Sequence, residues 1–170
     1  QSCSGETDVE PEILFRGEAI SGGVYPVSAV VANDSIMNVI EPGKHGSTCW
    51  GSPVAAAFAM ADLEVLKDEK LAENAFKLGN LFRSELQKYI DTSDLVKLVR
   101  GKGLLNAIVI NDTEDSSTAW DICLKLRDNG LLAKPTHGNI IRFAPPLVMN
   151  EEQLLDCVSI IKKTIITYQS

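Results

Sequence analysis

The sequence has few cysteines and histidines, and it lacks any long apolar run. Its four cysteines (Cys3, Cys49, Cys123 and Cys157) form no Cys-x-x-Cys pair. This scatter argues against a zinc site or a disulfide framework, and it favours a reducing, intracellular environment. Two histidines are too few for a histidine-based metal site. No apolar stretch approaches the roughly 20 residues of a membrane span. We therefore expect neither a metal site nor membrane insertion.

Positive charge is also scarce. The 170 residues carry 16 Lys and Arg against 23 Asp and Glu, which gives a formal charge of −7. Non-specific nucleic-acid binding needs clustered basic residues, so the composition argues against it. Apolar residues make up 45% of the chain. That fraction allows a packed core, and the length suits one domain, or one small domain plus a piece of another.

The apolar periodicity predicts alternating helices and strands. Strands are expected near residues 13–15, 27–31, 95–99, 104–110, 131–134 and 139–143, with a turn at residues 135–138 between the last two. Helices are expected at residues 33–40, 53–67, 69–89 and 118–129, followed by a final one that Asn150 and Gln153 begin with a capping box. Two helical stripes are predicted to be core: Leu71, Ala75, Leu78, Phe82 and Leu86, then Leu154, Val158, Ile161 and Ile165.

A loop rich in Gly, Ser and Thr lies before the predicted helix at residue 53. Ser52 suits its N-cap and Pro53 its first turn. Hydroxyls and free backbone amides at a helix start can hold an anion, and Ser47 and Thr48 lie in this loop. A capped turn with no ligand is the alternative for this loop.

Arg142 is an unusual residue within the apolar strand predicted at residues 139–143. It lies either at a sheet edge with its head group in water, or toward a cleft where its planar fork grips a carboxylate. The pattern of residues leaves both interpretations open. His137, in the neighbouring turn, is interpreted as a loop or core histidine.

Residues 17–23 read Gly-Glu-Ala-Ile-Ser-Gly-Gly and lead into Tyr-Pro-Val-Ser-Ala-Val at residues 25–30. This run resembles the segment of class III pyridoxal-phosphate aminotransferases that carries the cofactor lysine, written Gly-Lys-Ala-Leu-Ser-Gly-Gly. Glu18 takes the place of that lysine. A carboxylate can carry a proton, but only an amine condenses with the cofactor aldehyde as a Schiff base. We therefore interpret Glu18 as a catalytic position that is not functional.

The resemblance continues at two further runs. Residues 45–53 are similar to the family's His-Gly-Ser-Thr-Tyr-Gly-Gly-Asn-Pro loop, whose Ser-Thr pair reaches the cofactor phosphate of a partner subunit; this implies a cofactor role for Ser47 and Thr48. Trp50 replaces a glycine there. Residues 134–146 are similar to the family's Lys-Pro-Thr-His-Gly run, and the resemblance implies that Arg142 binds a substrate carboxylate.

The resemblance implies an α/β fold of the fold-type I aminotransferases, with only the C-terminal portion of the family's chain present. Residues 1–62 would be the end of the large cofactor-binding domain, including the dimer loop. Residues 63–170 would be the small α+β C-terminal domain. Residues 134–146 most resemble the ornithine aminotransferases of this family, whose reaction moves an amino group from ornithine to a 2-oxo acid through pyridoxal phosphate.

We expect a chain that is not catalytic by itself and binds pyridoxal phosphate weakly or not at all. The alternatives are an interaction module that uses the former dimer interface, or a fragment without a selected role. The expected partner is a second copy or an aminotransferase subunit. Resemblance places the chain in the mitochondrial matrix or cytoplasm. No targeting segment is recognisable, and the start at Gln1 suggests a processed or partial chain.

Overall fold

A computed structural model describes residues 9–90 and 93–169. The polar lead-in expected at residues 1–11 lies mostly outside the described part. The chain divides into two compact units, Gln1–Lys70 and Leu71–Ser170, and each is described by itself. The boundary expected between residues 62 and 63 separates the part that resembles the family's large domain from the part that resembles its small domain. This boundary stays a prediction.

The first unit is a two-stranded ribbon followed by two helices. Strand β1 (Ile13–Arg16) pairs antiparallel with β2 (Ala29–Ala32), and a 3-10 turn at Glu18–Ser21 lies between them. Helix α1 (Asp34–Met37) is a single turn, and α2 (Pro53–Asp68) is the long element. The predicted Ser52 cap is confirmed: its Oγ accepts from the Ala55 amide at 3.4 Å.

Very little of the first unit is buried. Among the side chains that the structure describes there, only Ser21 and Ala55 are buried. Large apolar side chains point to solvent instead, including Phe15, Val31 and Trp50. Hydrophobic burial is the main favourable term in folding, so this unit has little core of its own.

The second unit is a four-stranded antiparallel sheet with helices on one face. Its elements are α3 (Leu71–Ile90), β3 (Val96–Lys102), β4 (Leu105–Ile110), α4 (Thr118–Asp128), β5 (Lys134–His137), β6 (Ile140–Phe143) and α5 (Glu151–Gln169). The strand order is β3-β4-β6-β5. Helix α3 packs on β3 and β4, α4 packs on β5 and β6, and α5 lies against both helices.

The core of the second unit follows the predicted stripes. All five predicted core residues of α3 and all four of α5 are buried. Except for Leu71, they belong to one core cluster with Ile108 and Ile141 from the centre of the sheet. The predicted capping box is confirmed because Asn150 and Gln153 exchange hydrogen bonds of 3.0 and 2.9 Å.

No helix in the described ranges is long and apolar enough to cross a membrane.

Helix α3 approaches the β3–β4 hairpin closely at Gly79. A Cβ placed on Gly79 would lie 1.8 Å from the carbonyl oxygen of Gly103. Arg83, one turn further along, donates to the same oxygen at 3.2 Å and to the side chain of Asn106 at 2.6 Å. Asn106 is buried, so this contact also satisfies a polar group in the core.

The strand predicted at residues 131–134 is wrong. Leu131 packs in the core just after α4, and the strand is Lys134–His137, with the hairpin turn at residues 138–139. Pro135 reads as a turn residue in the sequence, but β5 is an edge strand, where a missing amide donor is tolerated. Gly138 fixes the turn by donating to the Glu114 carbonyl at 2.9 Å.

Candidate functional site

Position 18 begins the 3-10 turn that joins β1 to β2. Gly17 precedes this turn and Gly22 ends it with φ +62°. The turn is held by Ser21, which is 2% exposed and whose Oγ donates to the Tyr25 carbonyl at 2.5 Å. A Cβ on Gly22 would lie 2.8 Å from a carboxylate oxygen of Asp62, so the turn lies tightly against α2. The turn that contains the position of the family lysine is therefore held at its C-terminal end by Ser21 and Gly22.

The Ser47–Thr48 pair lies in an exposed turn before α2. Ser47 Oγ accepts from the Cys49 amide at 3.4 Å, and Thr48 Oγ1 lies 4.0 Å from Cys49 Sγ. An open concavity of about 600 Å³ is lined by Ser47 but not by Thr48. Other residues of its wall are His45, Ser52 and Ala55. Of the two residues predicted to contact the cofactor, Ser47 therefore lines this concavity and Thr48 does not.

Trp50 lies in the same turn without strain. Its ring meets that of His45 edge-on at 5.0 Å between centroids. Lys70 is the one non-glycine residue with positive φ among those described, so the Trp50 backbone does not need a glycine. The next residue, Gly51, has φ +69° and takes that conformation. The Trp-for-Gly difference changes the shape of the pocket wall rather than the backbone.

Arg142 lies on the open face of the second unit's sheet. It is exposed, whereas its strand neighbours Ile141 and Phe143 are buried under the helices. The interpretation that Arg142 lies at a sheet edge is therefore wrong, because β6 is an internal strand. Its side chain is nevertheless exposed, as that interpretation expected. The carboxylate-binding role of Arg142 stays a prediction. His137 is exposed in β5 opposite Ile140, so it belongs to a strand rather than a loop.

Two basic residues beside Arg142 escaped the sequence analysis. The strand register places Lys134 of β5 directly opposite Arg142 on one side, and Ala107 of β4 on the other, with Arg100 of β3 beyond Ala107. We call Arg100, Ala107, Arg142 and Lys134 the cross-strand row. The signal in the sequence was the charge at outward strand positions. Arg100 lies beyond the strand predicted at residues 95–99, whereas β3 extends to Lys102, and the pairing of Lys134 with Arg142 depends on the strand register.

The residues present do not fit covalent attachment of pyridoxal phosphate. A carboxylic acid at position 18 has no amine to condense with an aldehyde. The lysines of the first unit (Lys44, Lys67 and Lys70) are all exposed and distant in sequence. The Ser47 hydroxyl could still meet a phosphate at the pocket wall, since it is exposed. No chemical step through the cofactor follows from this arrangement.

The thiols offer no alternative nucleophile in the core. Burial raises the pKa of Cys123 to about 11, and burial, followed by the charge of Asp156, also raises the pKa of Cys157. A thiol with a raised pKa carries little reactive thiolate at neutral pH. Within residues 9–90 and 93–169, no group of three or more His, Cys, Asp or Glu could hold a metal ion.

The chain is similar in sequence to known proteins. A family model described as aminotransferase class-III matches residues 3–165. The mitochondrial ornithine aminotransferases of Drosophila melanogaster and Rattus norvegicus are 60% and 58% identical over 94% and 95% of the chain. The chain spans 36% of the length of each.

A solved structure gives the same result for the fold. The acetylornithine aminotransferase of Elizabethkingia anophelis superposes with a TM-score of 0.91 at 68% identity, over 96% of this chain and 43% of that one. The expected fold class, α/β of the fold-type I aminotransferases, is thereby confirmed.

Proposed function

The chain belongs to the aminotransferase class-III family, and from this premise we propose that it is an ornithine-aminotransferase-like chain that does not catalyse amino transfer by itself. The single observation that carries the proposal is Glu18, which occupies the position of the cofactor lysine at the start of the 3-10 turn. The family reaction needs an amine at this position for cofactor attachment and for proton transfer.

The direct test is reductive trapping. The full chain is incubated with pyridoxal phosphate, reduced with borohydride and analysed by peptide mapping. We expect no stoichiometric pyridoxyl adduct at any single lysine. The matched variant is Glu18→Lys, which restores an amine at the family position and leaves the rest of the chain unchanged. A stoichiometric adduct on one lysine of the unaltered chain would refute the proposal.

The same variant tests the second part of the proposal. We expect Glu18→Lys to remain inactive in amino transfer from ornithine to 2-oxoglutarate, because an amine alone does not orient the cofactor ring or hold its phosphate. Turnover of about 1 per second or more, an ordinary enzyme value, would mean that the 170 residues contain a working site after all.

A second function is favoured by the exposed apolar surface of the first unit. Phe15 is 73% exposed, and Val30, directly opposite Phe15 in the β1–β2 ribbon, is 50% exposed. Monomeric proteins rarely expose large contiguous apolar patches, so this surface suits a protein partner. An interaction module that binds a second copy or an aminotransferase subunit would use it. Cofactor titration separates the two functions, since an enzyme remnant should retain weak binding of pyridoxal phosphate and a pure module need not. Because these relatives are named as mitochondrial proteins, we propose a mitochondrial location for the chain.

A further inference from the structure

An apolar pocket of about 300 Å³ lies in the second unit, on the side of the sheet that the helices cover. Its floor consists of core side chains that are 3% exposed or less: Phe82, Leu104, Leu154 and Ile161. Its mouth lies among exposed residues, which include Leu132 at 84% exposure, Ala144 and Pro146. The pocket therefore reaches from solvent into the core.

One wall of the pocket is the segment 144–149 after β6. Helix α3 holds this segment, because the side-chain amide of Asn74 donates to the carbonyl oxygens of Leu147 at 2.8 Å and Met149 at 3.0 Å. Two consecutive prolines in the segment also restrict its backbone. The wall is therefore formed before any ligand arrives, as is usual for small-molecule sites.

The lining of the pocket suits an aromatic ring. An apolar cavity of about 150 Å³ stays dry and takes up benzene, and this pocket is larger. Phe82 and Phe143 both line it, with ring centroids 5.7 Å apart and planes inclined at 52°. A third ring beside this pair adds edge or offset contacts. Met149 also lines the pocket, and its flexible thioether can adapt to the ligand.

Asn106 adds one polar group to the pocket wall. It is 2% exposed, its Oδ1 accepts from Arg83 at 2.6 Å, and one N–H of its amide donates to the Gly103 carbonyl at 3.1 Å. Within residues 9–90 and 93–169, no protein acceptor takes the second N–H. A buried donor without an acceptor is unfavourable, so a ligand oxygen at this place is favoured.

We propose that this pocket binds a small aromatic molecule that carries one hydrogen-bond acceptor, such as an aryl ketone. The ring lies against Phe82 and Phe143, and the ketone oxygen accepts from the second N–H of Asn106. The site uses neither Glu18 nor the loop that contains Ser47. It therefore goes beyond the proposed function and does not depend on pyridoxal phosphate.

Ligand-observed NMR titration of the full chain tests the proposal with acetophenone, cyclohexyl methyl ketone and ethylbenzene. We expect acetophenone to bind with a Kd of about 1 mM or below. Cyclohexyl methyl ketone has the same acceptor but no aromatic ring. It should bind about fivefold more weakly, the ratio that one aromatic contact gives.

Cysteine alkylation mapped by mass spectrometry locates the bound ligand in the unaltered chain. Cys157 lines the pocket and is partly buried, whereas Cys49 is exposed in the first unit. Acetophenone should slow the alkylation of Cys157 and leave that of Cys49 unchanged.

Three variants test the residues of the site. Cys157→Leu adds volume at the wall and should weaken acetophenone by about tenfold or more, whereas Cys157→Ala should bind it as wild type does. Asn106→Asp keeps an acceptor for Arg83 and lacks the N–H, while the Gly103 carbonyl still accepts from Arg83. It should weaken acetophenone about fivefold more than ethylbenzene, which needs no donor.

Acetophenone binding that protects Cys157, is lost in Cys157→Leu and is kept in Cys157→Ala supports the proposal. No binding at about 10 mM, or binding that leaves Cys157 alkylation unchanged, overturns it, and neither result depends on a variant that folds. Equal binding of the two ketones overturns the preference for an aromatic ring. An equal loss of acetophenone and ethylbenzene in Asn106→Asp overturns the role of Asn106.

Discussion

The contact between Gly79 and the β3–β4 hairpin gives a sharp stability prediction. A Cβ at residue 79 would lie 1.8 Å from the oxygen and 2.4 Å from the carbonyl carbon of Gly103. Ordinary non-bonded contacts lie near 3.5 Å, so Gly79→Ala forces α3 away from the hairpin by roughly 1.5 Å. Both sides of the clash are backbone, and neither can move alone.

The cost can be worked from the contacts that the shift disturbs. Overpacking a tight core costs about 1–3 kcal/mol. The shift also lengthens the Arg83 hydrogen bonds to Gly103 and to buried Asn106, and a buried polar group left unsatisfied costs about 1–3 kcal/mol. Alanine regains about 1 kcal/mol of helix propensity. We expect Gly79→Ala to lower the free energy of unfolding by about 3 kcal/mol.

Thermal unfolding followed by circular dichroism measures this change, with an expected fall in Tm of roughly 10 °C. The matched control is Ser84→Ala, at an exposed position of the same helix, which should leave Tm nearly unchanged. Without the clash, Gly79→Ala would stabilise the protein through helix propensity alone. A Tm at or above that of wild type would therefore refute the close approach of α3 to the hairpin.

Two further predictions concern self-association and acid stability. Deleting residues 1–60 should give a monomer that unfolds cooperatively, because the core cluster lies within the second unit. The full chain should dimerise or aggregate, which sedimentation velocity measures. A full chain that is monomeric, together with a deletion variant that fails to fold, would contradict this prediction. Hydrogen bonds from Lys88 and Lys162 lower the pKa of Glu85, so its contribution to stability is present above the carboxyl's unfolded pKa and is lost as pH falls through the folded one. Glu85→Gln should flatten this acid-side loss in urea unfolding series, and an unchanged pH profile would show that these contacts are not formed in solution.

The residues of the candidate site could be predicted only where a short run of sequence matched a motif of the family. Glu18, Ser47, Thr48 and Arg142 could be assigned by matching short runs of sequence. The structure adds that Ser47 lines a concave surface and Thr48 does not. Side-chain direction depends on turn geometry, which the order of Gly, Ser and Thr alone does not specify. The roles of all four residues stay predictions.

The sequence by itself determined the helices α3 and α5, their buried stripes and the Asn150–Gln153 cap, because these depend on contacts three or four residues apart. Only the tertiary structure decided that β5 begins at Lys134, that Lys134 faces Arg142 and that Gly79 meets Gly103. Each of these contacts joins residues that are distant in sequence or depends on strand register. A shift of one residue in register turns every side chain of a strand to the other face. The charge pattern of the open face therefore exists only once the whole sheet has formed.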